Sequence, residues 1–178
     1  MGCCGNEGDD EDFSPLTWAA QNGHEEVVKM LLGREEVNPE KLDYYDATPL
    51  SHAALNGHEG VVRILLGREE VNPDRPDYYG VTPLSYAADY GHAGVVKILL
   101  GQEEVNPDKP DNHGTTPLSY AARNGYEEVV KILLGREEVN PDKPDNYGQT
   151  PRSMATQCGR DRVVALLHSH KAVTTSTI

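Results

Sequence analysis

Four sets of side chains in this sequence have the types that catalysis, metal binding or acylation would need. Carboxylates occur in adjacent pairs, serines and histidines recur at fixed positions, and two cysteines follow a glycine at the start. The sets are Glu35–Glu36, Glu69–Glu70, Glu103–Glu104 and Glu137–Glu138; Ser51, Ser85, Ser119 and Ser153; His24, His58 and His92; and Gly2, Cys3 and Cys4. Each set implies a different chemistry, and the residues around it test that chemistry.

The paired carboxylates resemble the acid and base of a hydrolytic site. Such a site needs one carboxyl group in an apolar pocket, because only burial keeps that group protonated near neutral pH. Here the neighbouring residues are charged, with Arg34, Arg68 and Arg136 directly before three of the pairs. The sequence therefore predicts a solvated surface whose acidic charge is partly compensated.

The serine and histidine sets also lack the partners that catalysis needs. No His–Asp pair accompanies the serines at helical or turn spacing, and Tyr126 and Arg160 continue the histidine set at later positions. There is no glycine-rich phosphate loop after a strand and no Cys/His zinc spacing. We therefore predict a protein that is not an enzyme and uses no metal and no cofactor, with the serines bonding to nearby backbone.

The N-terminus has the residues of a dual-acylation signal. Gly2 after the initiator Met could carry myristate and Cys3 or Cys4 palmitate, and two chains suffice for stable membrane anchoring. However, Asn6 stands where Ser or Thr is usual, and the acidic residues that follow would be repelled by an anionic membrane. The alternative is an acidic tail without lipid, and the mass of the native N-terminus would distinguish the two.

These residues belong to a chain that repeats itself every 34 positions. Residues 82–115 and 116–149 align without a gap and differ at eight positions. Residues 48–81 are a third copy, residues 14–47 a more divergent one, and a truncated fifth begins at Thr150. A fixed period of this length indicates stacked units, none of which can bury its apolar face alone.

The first half of the unit predicts a short helix. Thr82 is a good N-cap and Pro83 suits the first helical position, where an N–H group is not needed. Leu84, Ala87 and Ala88 then form one apolar face, and Gly91 ends the helix.

The second half predicts a more apolar helix followed by a loop. This helix spans Val95–Leu100 with Lys97 outside, and Gly101 would end it in the left-handed conformation. Two prolines and a late glycine in residues 103–114 favour an extended, turn-rich connection. The unit is therefore helix, turn, helix and long hairpin-like loop.

This order of elements, together with the motifs Thr-Pro-Leu-x-x-Ala-Ala, Gly-His, Val-Val-x-x-Leu-Leu and Val-Asn, resembles the ankyrin repeat. The tetratricopeptide repeat has the same period, but its longer helices and Trp/Tyr pattern are missing here. The resemblance implies an all-α solenoid of stacked helix-turn-helix units joined by hairpin-like loops. It also implies an intracellular protein–protein interaction module that binds partners in a concave groove formed by hairpin tips and first helices.

We divide the chain accordingly. Residues 1–13 are an acidic N-terminal tail, residues 14–170 the repeat domain and residues 171–178 a C-terminal tail. The repeats are 14–47, 48–81, 82–115, 116–149 and 150–170. The first repeat is expected to cap the stack, with Trp18 in a packing role. Arg152 and Arg160 in the last repeat replace residues of the inner repeats and predict a wettable C-terminal end.

Composition limits the partners. With 16 Lys and Arg against 29 Asp and Glu, the formal net charge is −13, which argues against nucleic acid and permits a protein partner with a basic surface. Three cysteines form no disulfide framework, so we expect a reducing, cytoplasmic environment and a monomer, with membrane contact only through an acylated N-terminus.

Exposed tyrosines and variable positions indicate where a partner binds. Five of the nine tyrosines lie in the loops, where rings are not needed for packing, and tyrosine is enriched in binding surfaces. The expected apolar anchors are Tyr44, Tyr45, Tyr78, Tyr79 and Tyr90, and the expected polar residues are Asn56, Asp89, Asn112, His113, Arg123 and Asn124. Tyr147 is a further expected contact residue. Three alternatives stay open. The rings could stack on each other to hold the loops together, or the chain could be a consensus-like scaffold without a selected partner, or a fragment of a larger protein.

Overall fold

The structure, a computed structural model, describes residues 13–175. The predicted acylation residues Gly2, Cys3 and Cys4 lie outside the described residues. Along residues 13–175 we find no helix with the length and apolar content that crossing a bilayer requires.

Within the described residues, ten helices form five consecutive pairs. They are α1 (Pro15–Gln21), α2 (Glu25–Leu32), α3 (Pro49–Leu55), α4 (Glu59–Leu66), α5 (Pro83–Asp89), α6 (Ala93–Leu99), α7 (Pro117–Asn124), α8 (Glu127–Leu134), α9 (Pro151–Gln157) and α10 (Asp161–Thr175). Loops without helix join the pairs. The predicted all-α solenoid of helix-turn-helix units is therefore confirmed, and α10 extends into the segment assigned to the C-terminal tail.

Each first helix begins as the sequence predicts. At α5 the Thr82 hydroxyl accepts the backbone N–H of Ser85 at 3.1 Å, and Pro83 occupies the first turn. Ser85 Oγ lies 3.1 Å from Thr82 Oγ1, and both residues are buried. The serines were predicted to bond to nearby backbone. Ser153 does so, donating to the Thr150 carbonyl at 2.9 Å, whereas the Ser85 hydroxyl pairs with the capping hydroxyl of Thr82.

The predicted left-handed conformation at Gly101 is wrong. The second helices end in right-handed geometry, with φ of −74° at Gly67, and Gly101 donates its N–H to the Ile98 carbonyl at 3.2 Å. Because the chain keeps its right-handed turn there, no residue needs positive φ. The left-handed residues of this repeat are instead Gly91, with φ of 78° where the chain reverses direction between the two helices, and Gly114, with φ of 83° in the loop.

One apolar core runs through all five repeats. Leu84, Ala87 and Ala88 of α5 are fully buried, as are Val95 and Leu99 of α6. The first helices stack on first helices from α1 to α9, and the second helices stack on second helices from α2 to α10. The alanine pairs let neighbouring first helices approach closely. Each repeat thus buries its apolar face against its neighbours.

The two ends of the stack differ. Arg152 and Arg160 are exposed at the C-terminal end, as the prediction of a wettable cap requires. At the N-terminal end Val27 is 40% exposed, whereas Val61, its counterpart in the second repeat, is fully buried. Trp18, which we expected to pack, is 52% exposed and contacts the ring of His24. The first repeat therefore leaves part of its outer face apolar and uncovered.

Candidate functional site

An aspartate fixes the tip of each hairpin-like loop. The Asp77 carboxylate oxygen Oδ1 accepts the N–H of Tyr79 at 2.9 Å and the N–H of Val81 at 2.8 Å. Asp43, Asp111 and Asp145 make the same two bonds in their loops. Because the carboxylate accepts the backbone N–H groups of the turn, the two residues after the aspartate are held at the outer end of the loop. We call these residue pairs the hairpin tips; they are Tyr44–Tyr45, Tyr78–Tyr79, Asn112–His113 and Asn146–Tyr147.

The second oxygen of three of these aspartates binds a first helix. Tyr86 Oη donates to Asp77 Oδ2 at 2.5 Å, and Tyr120 Oη donates to Asp111 Oδ2 at 2.6 Å. His52 Nε2 lies 2.7 Å from Asp43 Oδ2. This role was not predicted from the sequence. The available signal was the constant spacing of nine residues between each aspartate and its tyrosine or histidine.

Burial raises the pKa of Tyr86 well above its usual value, and the hydrogen bond to Asp77 and the charge of that residue raise it further. Burial also raises the pKa of Tyr120, with Asp111 as its hydrogen-bond partner. Both phenols therefore stay protonated in the folded chain at pH values where free tyrosine ionises.

We expect alkaline pH to destabilise the fold through these two phenols. Their stabilising contribution is fully present below about pH 10, where the phenols of the unfolded chain are also protonated. Above about pH 10 only the unfolded state loses these protons, so the free energy of unfolding should fall by about 1.4 kcal/mol per pH unit for each phenol. Urea unfolding at several alkaline pH values measures this slope. In a Tyr86→Phe/Tyr120→Phe double variant the slope should be shallower, and an unchanged slope would contradict the assignment.

Neighbouring tips are joined to each other. The backbone N–H of Tyr78 donates to the Tyr45 carbonyl at 2.8 Å, Asn112 donates to Tyr79 at 3.0 Å, and Asn146 donates to His113 at 2.9 Å. The rings of Tyr45 and Tyr79 stack with centroids 6.2 Å apart. The tips thus form a continuous row, and some of its rings hold neighbouring loops together.

The predicted anchors in this row remain accessible. Tyr44 is 79% exposed and Tyr147 is 75% exposed, and Tyr78 is also largely open. Tyr90 lies at the end of α5, exposed, with its ring parallel to that of His92 at 6.5 Å. Among the described residues, the hydroxyls of Tyr44 and Tyr78 have no hydrogen-bond partner. Ring faces and phenol donors are therefore available to a ligand.

Three of the predicted polar residues come together at the ends of α5 and α7. Arg123 Nη2 lies 3.0 Å from Asp89 Oδ1, and Asn124 Nδ2 donates to the same oxygen at 2.7 Å. The guanidinium of Arg123 also lies over the Tyr120 ring at 5.1 Å. These groups form an inter-repeat network, so a partner would meet them already oriented.

The remaining predicted polar residues are separate from that network. Asn112 Nδ2 donates to the Tyr78 carbonyl at 3.0 Å, and the His113 ring stacks on Tyr147 at 6.4 Å. Both residues therefore belong to the row of tips. Asn56 donates to the His52 carbonyl of its own helix at 2.9 Å, and no contact joins it to another predicted site residue among those described.

The histidine set proves to join neighbouring repeats. His58 Nε2 lies 2.9 Å from the Gln21 carbonyl oxygen, and His92 Nε2 lies 3.0 Å from that of Leu55. Arg160 at the equivalent position donates to the Arg123 carbonyl at 3.2 Å. The sequence predicted no role for this set, since the acceptors lie 37 residues away.

The acidic pairs are exposed and partly compensated, as predicted. Glu70 lies 3.5 Å from Arg68, and Glu138 lies 3.9 Å from Arg136. Across the described part of the chain, no three His, Cys, Asp or Glu side chains come together as a metal site.

Comparison with known protein families agrees with this architecture. A family model described as ankyrin repeats (3 copies) matches the chain four times, over residues 2–77, 35–111, 69–143 and 103–177. No curated protein matches it significantly. Ankyrin repeats are a general protein–protein interaction module and are typically non-catalytic. Four overlapping matches, five helix pairs and the loops between them lead to one conclusion: the chain belongs to the ankyrin-repeat family.

Proposed function

We propose that this chain binds another protein in a groove formed by its hairpin tips and the adjoining ends of its first helices. The observation that supports this most directly is the row of exposed tyrosines held in register. The proposed contact residues are Tyr44, Tyr45, Tyr78, Tyr79, Tyr90, Tyr147, Asn56, Asp89, Asn112, His113, Arg123 and Asn124.

The tips are already ordered before a partner arrives. Asp77 holds the turn under Tyr78 and Tyr79, and Tyr78 is tied to Tyr45 through the backbone. Ordering a loop at an interface normally costs free energy on binding, and a pre-ordered loop avoids that cost. Tyrosine adds a large contact area with few rotatable bonds and a polar hydroxyl.

The same bonds restrict how a partner can be recognised. The N–H groups of Tyr78 and Tyr79 are both used within the chain, so an added strand would not find them free. Recognition at these tips therefore depends on ring faces and phenol hydroxyls. Three of the four tips carry no charged side chain, and the fourth carries His113. We therefore place the partner's apolar or uncharged residues over the tips and assign any basic surface of the partner to the acidic remainder of the chain.

The absence of catalysis, the oligomeric state, the ligand class and the compartment of the chain are also proposals. The chain acts as a non-catalytic binding monomer without cofactor, and nucleic acid is not its ligand because its net charge is −13. The cytoplasm is the proposed compartment, with membrane attachment only if the N-terminus is acylated.

Removing two exposed rings should weaken partner binding without unfolding the chain. We choose Tyr44→Ala/Tyr78→Ala, because these rings are largely exposed and contact Tyr45 and Tyr79 only edge-on within their own tips, whereas the Tyr45–Tyr79 stack joins neighbouring tips. Loss of two interface anchors should cost more than about 1.4 kcal/mol, which is more than about ten-fold in Kd. The measurement is titration of a partner captured from the source cell, with thermal unfolding in parallel.

A Lys29→Ala/Lys131→Ala double variant is the matched control, since both side chains are exposed on second helices, away from the tips, and neither belongs to the acidic surface. It should retain binding to within a few-fold. Equal losses of binding and thermal stability in the tyrosine variant would assign the rings to loop packing instead. A wild-type chain that retains no partner would favour the scaffold alternative, which the near-identity of residues 82–115 and 116–149 also fits.

A further inference from the structure

The first two hairpin tips form a continuous surface of tyrosine rings. Tyr45 and Tyr79 stack with their ring planes 30° apart, so this pair joins the two tips. Tyr44 meets Tyr45 edge-on with ring centroids 5.1 Å apart, and Tyr78 meets Tyr79 in the same way at 5.3 Å. We call these residues, Tyr44, Tyr45, Tyr78 and Tyr79, the four-ring surface. All of its rings are exposed, and those of Tyr44 and Tyr78 are the most exposed.

The backbone groups of the second tip are already paired. The N–H of Tyr78 donates to the Tyr45 carbonyl, and the N–H of Tyr79 donates to Asp77 Oδ1. The Tyr78 carbonyl accepts the side-chain amide of Asn112 at 3.0 Å, and the Tyr79 carbonyl accepts the backbone N–H of the same residue at 3.0 Å. A ligand strand would therefore meet no unpaired backbone donor or acceptor at this tip.

The side chains of the four-ring surface, in contrast, leave hydrogen-bond donors free. Among the described residues, the tyrosine hydroxyls that bind another side chain are those of Tyr86 and Tyr120, which lie on first helices. Neither of the first two tips contains a charged side chain. This surface therefore favours an uncharged ligand that offers carbonyl acceptors and apolar rings and brings no N–H groups that would be left unpaired.

A proline-rich segment in the polyproline II conformation has these properties. Proline has no backbone N–H, so no donor of the ligand loses its partner when the segment lies on the rings. The polyproline II helix has no internal hydrogen bonds, so its carbonyls are free to accept phenol hydroxyls. Its conformation is also formed before binding, and aromatic-lined grooves recognise it for that reason. An α-helical ligand fits less well, because its central carbonyls are bonded within the helix.

We propose that the four-ring surface binds a proline-rich segment of the partner in the polyproline II conformation. Proline rings pack against the exposed rings of Tyr44 and Tyr78, and the phenol hydroxyls donate to carbonyls of the segment. The stack of Tyr45 on Tyr79 holds the two tips together, so both tips contact one segment. This ligand class rests on the proposed function, since the same tips must contact the partner.

Titration of the full-length protein with an acetylated and amidated proline decamer tests this ligand class. The backbone amide NMR signals of Tyr45 and Tyr79 should shift to saturation, and added salt should not weaken binding, because the peptide is uncharged. Tyr44→Phe/Tyr78→Phe keeps the rings and removes two donors, so Kd should rise by about five-fold or more, the equivalent of at least one ordinary hydrogen bond. Tyr147→Phe is the matched control, because it removes an exposed phenol from the fourth tip and should leave Kd unchanged.

A glycine–serine peptide of the same length has free carbonyls but no rings, and it should shift neither signal. A proline decamer that shifts no tip amide at concentrations up to about 10 mM would overturn the inference. Equal binding of the two peptides, or equal effects of Tyr44→Phe/Tyr78→Phe and Tyr147→Phe, would also overturn it.

These failures can be distinguished from a failure of the proposed function. A partner whose affinity falls in Tyr44→Ala/Tyr78→Ala, but which the proline decamer does not displace, would keep the tips as its binding site and exclude polyproline II recognition. A partner whose affinity is unchanged in that variant would contradict the proposed function itself.

Discussion

Replacing Asp77 with alanine should lower the free energy of unfolding by roughly 3–5 kcal/mol, because one buried carboxylate satisfies three donors. Asp77 is 6% exposed and accepts the N–H groups of Tyr79 and Val81 and the hydroxyl of Tyr86. Each donor left without a partner in a buried site costs about 1–3 kcal/mol, and solvent can reach part of Tyr79 and of Tyr86. Urea denaturation at neutral pH measures the loss.

Asp145 provides the matched control for this prediction. It accepts the N–H groups of Tyr147 and Gln149 but no hydroxyl, since Met154 stands where Tyr86 stands in the third repeat. It is also less buried than Asp77. Asp145→Ala should therefore cost only about 1–2 kcal/mol. If the two substitutions had equal effects, the bond to Tyr86 would contribute nothing, and the turn alone would account for the role of the aspartate.

The helices were predictable because their signals are local. Thr82 and Pro83 define a helix start within two residues, and Leu84, Ala87 and Ala88 share one face at helical spacing. The 34-residue period then predicted that the units stack, since the apolar face of each unit must be covered by the next unit. None of these steps needed information about residues distant in the sequence.

The contacts between loop and helix were not predictable in the same way. Asp77 followed shortly by Gly80 indicates a turn. The constant spacing of nine residues links Asp77 with Tyr86, but this spacing alone does not show that the second carboxylate oxygen reaches the phenol. That contact depends on the path by which the loop returns to its helix. The left-handed conformation expected at Gly101 was wrong for a similar reason. A glycine after a helix permits positive φ without requiring it. The direction of the following chain determines whether φ is positive.

The candidate binding residues also differ in whether the sequence could predict their surroundings. Exposure of Tyr44 and Tyr78 could be expected from their place in loops that need no rings for packing. The network of Asp89, Arg123 and Asn124 could not, because its members lie 34 and 35 residues apart. Variation between repeats at these positions indicates a binding surface and also fits pairs that bond to each other across a repeat junction. Their role in partner binding stays a prediction.

Gly57→Ala should destabilise the chain by roughly 3 kcal/mol through the junction between the second and third repeats. Gly57 has φ of 75°, and a Cβ there would lie 2.5 Å from Nδ1 of His92. The ring cannot retreat without cost, because its other nitrogen lies 3.0 Å from the Leu55 carbonyl oxygen. The left-handed conformation costs about 1–2 kcal/mol in a residue with a side chain, and losing the histidine bond adds about 1 kcal/mol.

A substitution at Gly159 measures the backbone cost separately from the loss of the histidine bond. Gly159 has φ of 66°, but a Cβ there would meet no other atom of the described residues within 4 Å. Gly159→Ala should therefore show only the backbone cost of about 1–2 kcal/mol. Adding His92→Ala to Gly57→Ala removes the steric conflict, so the double variant should be more stable than the sum of the single losses predicts. Equal losses at Gly57 and Gly159, or strict additivity in the double variant, would show that the histidine contact does not stabilise the junction. In that case apolar packing between the helices would be what joins one repeat to the next.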